Sequence, residues 1–474
     1  MEKTKKIIMP ENLLSVFIIM CPILDILSFL FRNKFQTNYS VSTFIRPIIP
    51  AILFIYIFFK SDTNKKGKMI TIGFIYAIYA VIHVLIYNRL KTECSYGTIT
   101  HEMQYLINYS FMILNLYVFN KTIDEKNEYK LHQSIIISLS IYIVSIYISM
   151  LSGTSSTTYI EGIGFKGWFE SGNSISAILV LGTFIVMSFI MKVDNRICKG
   201  IIFLIICLVG IYLMTLIGTR VGLIGFILSI LCFIISQILE KSIAKVKINK
   251  KNFIILFSIL ILLLIVVIVA GSLTLKRRKY LQSMEHTVID ESTGSISHLT
   301  GDLTAIRNRI VNNELEEGFM TEQQKQSILN LYDIAEKYNI SNTNTRMQQL
   351  IYHCMLVRNQ KNIVLILFGN GYLINTNELV WEMEFPAFLF NFGIIGFLLY
   401  MVPFITIVAK ACICLMKKIK SIDTEFIMLF LAVGLSFVLS TLSGYTFFNS
   451  SSMIIIIVAN VLLNNKVKKL KEKK

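Results

Sequence analysis

The stretch Asn252–Tyr280, NFIILFSILILLLIVVIVAGSLTLKRRKY, decides the fold. Residues 252–272 carry no charge and are long enough for one helix through a bilayer core, which takes about twenty apolar residues. The character then changes abruptly. About ninety mostly polar residues run from Leu273 to Asn362 and hold six of the chain's eleven arginines, before apolar sequence resumes. A segment this large and charged, fed by greasy helices on both sides, is where an integral membrane protein would do chemistry.

Working outward, the same apolar grade recurs along the whole chain, with 54% hydrophobic residues and a mean hydropathy of +0.64. A soluble globule is excluded, and so is a barrel, whose strands would alternate polarity over roughly ten residues. The fold class expected is all-α, a polytopic membrane protein with about twelve transmembrane helices and one large extracytoplasmic helical loop. The spans read as 11–31, 43–60, 69–88, 103–119, 133–152, 172–191, 199–217, 220–239, 252–272, 385–411, 424–441 and 446–463, of which 172–191 looks the least regular. Three regions follow: nine helices over 1–272, a loop domain over 273–384, and three helices with a basic tail over 385–474. The N-terminal run resembles a signal peptide only in its charge, and is read as the first span.

Lysine sets the orientation. With the N-terminus cytoplasmic, about 28 of the 46 basic residues fall on short inner segments, among them Lys60–Lys68, Lys121–Lys130, Lys241–Lys251 and Lys466–Lys474. That is the bias of the positive-inside rule, and an even number of spans returns the C-terminus to the same side. The expected location is therefore a bacterial cytoplasmic membrane, multi-pass, with both termini inside. The net charge of +17 is accounted for by topology and anionic lipid, so no nucleic-acid partner is invoked. Ten of the eleven arginines fall at or beyond the outer interface in this scheme, all but Arg196. The guanidinium fork suits bidentate binding of phosphate or carboxylate, so an outward arginine cluster points to an anionic substrate; ordinary surface pairing with Glu285, Asp290, Glu314 or Glu316 is the alternative. Cys94 and Cys354 should face outward, read as unpaired thiols with a mutual disulfide as the alternative, and no Cys/His spacing suggests a metal.

Four local patterns carry chemistry. Gly218-Thr219-Arg220-Val221-Gly222 makes a tight external turn between two spans, and Arg220 either grips a lipid pyrophosphate at headgroup level or snorkels. Trp168-Phe169-Glu170-Ser171-Gly172-Asn173-Ser174 returns a loop into a span, with an interfacial Trp168 and an amide at Asn173 that needs a partner or caps the helix. Asn344-Thr345-Arg346 opens an amphipathic helix on which Arg346, Gln349 and His353 share a face, turned to a headgroup, a sugar or solvent. The densest pattern is Gly369-Asn370-Gly371, then Trp381-Glu382-Met383-Glu384, then Gly393-Ile394-Ile395-Gly396. It combines a sharp turn, two carboxylates at the lip of a span suited to general-base work, and a close-packed glycine seam. Separately, Asp25 lies inside the first span and Arg46 enters the second; each is costly alone in a membrane, so they are expected to neutralise one another.

The order of these elements resembles the O-antigen ligase and polymerase superfamily, the Wzy-like membrane glycosyltransferases of glycosyltransferase C-type fold. The likeness rests on Trp168 to Asn173, Thr219-Arg220, Arg346, Gly369-Asn370-Gly371, Glu382/Glu384 and Gly393 to Gly396, and covers roughly residues 160–400. Ligases of this superfamily place a histidine after the Gly-x-Gly turn, where this chain has Glu382 and Glu384; that is similar to the polymerase-like branch. The resemblance implies an undecaprenyl-pyrophosphate-linked oligosaccharide donor, a lipid-linked acceptor, inversion at the anomeric carbon, and no metal or cofactor. It implies Glu384 or Glu382 as base, Arg220 and Arg346 on the pyrophosphate, and Asn173, Trp168, Arg307, Arg309, His353 and Asn370 as substrate contacts. Tyr280, Tyr332, Tyr338 and Tyr352 are available to stack on sugars. Membrane lipids and polysaccharide assembly proteins, such as a flippase and a chain-length regulator, are the further partners implied. A ligase using another surface acceptor and a polytopic transporter or exporter remain the alternatives, although no internal repeat or midplane charge cluster favours transport.

Overall fold

The computed structural model describes residues 9–36, 40–91, 99–159, 162–243, 303–315, 320–340, 344–371, 382–444 and 446–472, with a few positions among 273–280. These residues form helices throughout, apart from one short antiparallel pair, Ser156–Thr157 with Phe165–Gly167. The helices are α1 (Pro10–Phe35), α2 (Val41–Ile45), α3 (Ile48–Lys60), α4 (Thr63–Lys91), α5 (Ile99–Thr122), α6 (Glu128–Leu151), α7 (Gly172–Ile190), α8 (Arg196–Ile217) and α9 (Arg220–Ile243). They continue with α10 (Leu303–Val311), α11 (Glu322–Lys337), α12 (Thr345–Gln360), α13 (Ile363–Phe368), α14 (Glu384–Lys417), α15 (Thr424–Leu442) and α16 (Ser452–Glu472). Among the described residues, nine helical stretches are long and apolar enough to span a membrane, so the chain is an all-α polytopic membrane protein. The expected spans 103–119 and 446–463 correspond to α5 and α16, which are helical but more polar than those nine; 252–272 lies outside the described residues.

Three details depart from the sequence-based expectation. The span at 172–191 is an unbroken helix and the most enclosed of the nine, with 83% of its central window buried, because its small residues Gly172, Ser174, Ser176 and Gly182 admit neighbours on every side. The second span is two pieces, α2 and α3, meeting at Arg46-Pro47, where proline cannot donate a helical hydrogen bond. The last starts at Ser452 rather than 446, since Asn449 caps it by accepting from the Ser451 and Ser452 amides at 3.0 and 3.4 Å.

The chain divides into two compact units, one of residues 1–61, 111–276 and 403–474, the other of residues 62–110 and 277–402. In the first, α7 is packed by α6, α8, α9, α15 and α16. One end of this unit is an ion-pair network: Lys469 to Glu128 at 2.7 Å, Lys192 to Glu425 at 2.6 Å, and Lys466 to Asp423 and Glu425 at 2.6 Å. In the second unit the polar mid-chain segment builds its own core from Leu303, Ile310, Ile328, Leu331, Tyr352 and Leu356, with Phe390 of α14 joining it. The amphipathic α11 is started by a reciprocal capping box, Thr321 accepting from the Gln324 amide and the Gln324 side chain accepting from the Thr321 amide.

Candidate functional site

In the first unit, three helix N-termini converge. Gly218 closes α8 with φ 77°, in the left-handed region that favours glycine, and Thr219 then accepts from the Gly222 amide at 3.0 Å to start α9. The Thr219 hydroxyl lies 2.5 Å from Ser176 on the first turn of α7, and a Cβ at Gly222 would meet the Ser176 hydroxyl at 2.9 Å. Ser174, also in that turn, donates to the Asn449 side chain that caps α16. The starts of α7, α9 and α16 are thus tied together, each capped by a side chain and each presenting the positive end of its dipole. Arg220 stands at this junction, exposed at the first position of α9. Asn173 is half-buried beside it and is not the cap of α7; that is Ser171, which accepts from the Ser174 amide. Trp168 donates its indole N–H to Thr154 at 2.9 Å, and Phe169 packs in the interior against Tyr142.

Below this junction Asp25 and Arg46 meet at 2.5 Å, with Arg46 only 2% exposed. Arg46 also donates to the Cys21 carbonyl and to Ser450, while Asp25 accepts from Tyr142 at 2.8 Å and from Ser451 at 2.9 Å. The pair therefore anchors residues 449–452, the segment that caps α16. Sequence reasoning found the two charges but not Tyr142, Ser450 or Ser451, whose hydroxyls give no sign of having an ionic partner.

In the second unit, Arg346 at the start of α12 meets Glu382 at 3.1 Å, both about half exposed (42% and 47%). The Glu382 amide donates to the Gln349 side chain at 3.0 Å, so the segment entering α14 is held against α12 at two points. Glu384 is the first residue of α14. Beyond the half-exposed Arg346, the face it shares with Gln349 and His353 is turned inward. His353 is 4% exposed, its Nδ1 bonded to the Gln349 carbonyl and its ring edge-on to Phe390 at 4.5 Å, so it packs the core beneath Arg346 instead of facing a substrate. Burial drives its imidazole down to about 3, and the folded state keeps it neutral. An unfolded chain binds a proton there at ordinary histidine values, so stability is complete above about pH 6.5 and is lost progressively as pH falls toward 3. Thermal unfolding in detergent should show that acid-side loss, and His353→Phe should flatten it; an unchanged pH profile would contradict the assignment.

Arg307 lies over the Tyr332 ring at 4.5 Å, a cation–π contact, while Arg309 of the same helix is exposed. Tyr352 is buried and Tyr338 exposed. Trp381, Tyr372 and Cys94 lie outside the described residues; Cys354 is an exposed free thiol.

The Gly-Asn-Gly turn and the glycine seam form one construction. Gly393 interrupts α14 with φ 68° and ψ −178°, a conformation open essentially to glycine. Three successive carbonyls at the break find partners outside the helix: Phe390 accepts from the Asn370 amide at 2.9 Å, Asn391 from the Gly371 amide at 2.8 Å, and Phe392 from the Tyr79 hydroxyl at 2.6 Å. A Cβ at Gly369 would lie 2.1 Å from the Asn391 carbonyl, and one at Gly371 would lie 2.2 Å from the Tyr87 ring. Asn370 is buried in this construction, 2% exposed, and its backbone amide makes the bond to Phe390. His83 of α4 and Glu102 of α5 stand against this turn; both fall within or beside apolar runs, and no sequence spacing marks them as a pair.

A protein-family model described as O-antigen ligase like membrane protein matches residues 9–469. None of the curated proteins compared matches the chain. The match runs through both units and nearly all of the described residues, and with it this polytopic chain belongs to the family of O-antigen ligase like membrane proteins.

Proposed function

We propose that this protein is a glycosyltransferase that polymerises undecaprenyl-pyrophosphate-linked oligosaccharide repeat units at the outer face of the bacterial cytoplasmic membrane, with inversion and without a metal. Family membership supports a membrane enzyme acting on lipid-linked glycans. The observation that carries the chemistry is Arg346 held beside Glu382 at 3.1 Å, with both groups half exposed at the start of an apolar helix. A diphosphate oxygen is a better partner for that guanidinium than a solvated carboxylate, so the donor displaces Glu382 and Arg346 neutralises the charge that builds on the leaving group. Glu384, two residues further at the head of α14, accepts the proton of the attacking sugar hydroxyl. Within the first unit, Arg220 is the candidate for binding lipid-linked phosphate, favoured by the helix N-termini around it.

The charges at the polar ends of the first unit support this sidedness. Lys192, Lys466 and Lys469 gather at one end, as a lysine-rich inner face requires, and Arg220 lies where the polar loops of the other end meet. Flippase and chain-length-regulating proteins are the partners such an enzyme would work beside.

Purified protein reconstituted with lipid-linked repeat units alone should elongate them in the presence of chelator. Arg346→Ala, Arg220→Ala and Glu384→Gln should each lower turnover by about 10²-fold while membrane abundance holds. Strict dependence on an added divalent metal, or normal chain lengths from all three variants, would overturn the mechanism. Elongation only with a different, non-lipid acceptor would make the protein a ligase.

A further inference from the structure

The His83 imidazole is 1% exposed and the Glu102 side chain 0%, and they meet at 2.7 Å through Nε2 and Oε1. The other ring nitrogen, Nδ1, lies 2.7 Å from the Phe368 carbonyl oxygen. A carbonyl has no proton to give, so Nδ1 carries one and donates it. One more proton must then lie between Nε2 and Oε1, either on the ring facing a carboxylate or on a carboxylic acid facing a neutral ring. Both arrangements make the same two hydrogen bonds, and both seat α4 and α5 against the end of α13.

What this pair holds is the frame of the break in α14. Phe368 is the last residue of α13; the next three residues are the Gly-Asn-Gly turn whose amides satisfy the Phe390 and Asn391 carbonyls. Four residues above His83 on α4, Tyr87 closes against Gly371; four below it, Tyr79 donates to the Phe392 carbonyl. The His83 ring itself contacts Phe392 at 5.0 Å. The segment Glu384–Phe392, which begins with the carboxylate assigned as base, is therefore fixed at its far end by contacts organised around one buried dyad.

We infer that His83 and Glu102 are positioning residues, which lock the Gly369-Asn370-Gly371 turn onto the helix break at Gly393 and thereby fix the direction in which Glu384 is presented. The inference rests on the proposed role of Glu384 for its catalytic consequence, but the lock itself does not. Both side chains of the dyad are closed off from solvent. Its removal takes from the Phe368 carbonyl its imidazole donor and breaks the tie between α4 and α5, and the turn loosens.

The full chain in lipid nanodiscs separates these consequences. Hydrogen–deuterium exchange at the Asn370 and Gly371 amides reads the lock, and turnover of lipid-linked repeat units reads the presentation of Glu384. In Glu102→Ala and His83→Ala those two amides should exchange about tenfold faster or more than in the parent. Turnover should fall by about 10- to 100-fold at nearly unchanged KM, because a displacement near 1 Å of a reacting group is enough for that. Glu102→Gln places an amide N–H where the shared proton lies, so it should restore slow exchange and most of the turnover. Unchanged amide exchange in both alanine variants, or a Gln variant as loose as the Ala variant, would overturn the inference. Fast exchange with parental turnover would uphold the lock and overturn its role in presenting Glu384. Globally raised exchange would show instead that the dyad is an ordinary folding contact, and would overturn its assignment to the turn.

Discussion

Gly393→Ala should unfold or misfold the second unit, even though it adds one methyl to an apolar helix. The new Cβ would stand 2.4 Å from the Leu367 carbonyl oxygen and 2.5 Å from the Gly369 nitrogen, both backbone atoms that cannot swing away like a side-chain tip. The backbone there has φ 68° with ψ −178°, which costs a residue with a Cβ about 1–3 kcal/mol, and overpacking adds a similar amount. Relieving the strain by straightening α14 would strip the Asn370 and Gly371 amides and the Tyr79 hydroxyl of their acceptors. The total, about 2–6 kcal/mol, is a large part of the 5–15 kcal/mol that holds a typical domain together. Gly434→Ala is the control: it lies inside α15 with nothing within 4 Å of the added carbon, so there alanine should stabilise by about 0.5–1 kcal/mol. Detergent thermal unfolding should separate the two variants in opposite directions. Equal unfolding temperatures would refute the account of the break.

Arg46→Ala should be similarly severe in the first unit. It leaves Asp25 inside the bundle with only the Tyr142 and Ser451 hydroxyls, and breaking a buried pair from one side costs about 3–5 kcal/mol. Asp25→Asn with Arg46→Met should recover much of that loss, because no net charge is then left unmatched. A double variant as unstable as the sum of the single ones would show that the two residues act independently. Since the pair also holds Ser450 and Ser451 beside the start of α16, the single variant should disturb the junction at Arg220.

The residues that were legible in the sequence are those whose chemistry is anomalous where they stand. Asp25 and Arg46 are charges in apolar runs, Arg220 is a cation between two apolar runs, and Gly369-Asn370-Gly371 is a turn at the edge of a span. Glu382 and Glu384 announced themselves as carboxylates at a helix start, and the pairing of Glu382 with Arg346 connects positions 36 residues apart. The residues missed are common types that acquire meaning only through a partner. Tyr79 looks like any aromatic on α4 until its hydroxyl is found on the Phe392 carbonyl, and Ser176 like any small residue until it meets Thr219. His353 was misjudged in the other direction, because helical spacing gives a residue's face and not the side from which the rest of the chain covers it.

Hydropathy alone determined that this chain is a helical membrane protein, because unpaired backbone groups are too costly in lipid for any sequence of such apolar runs to choose otherwise. Motif order alone pointed to its family. Only the tertiary structure decided which polar groups are partners: Arg346 with Glu382, Asp25 with Arg46 and Tyr142, His83 with Glu102. The physical reason is range. Helix formation is set within a few residues and a membrane span within about twenty, whereas a hydrogen bond between helices depends on how distant segments pack.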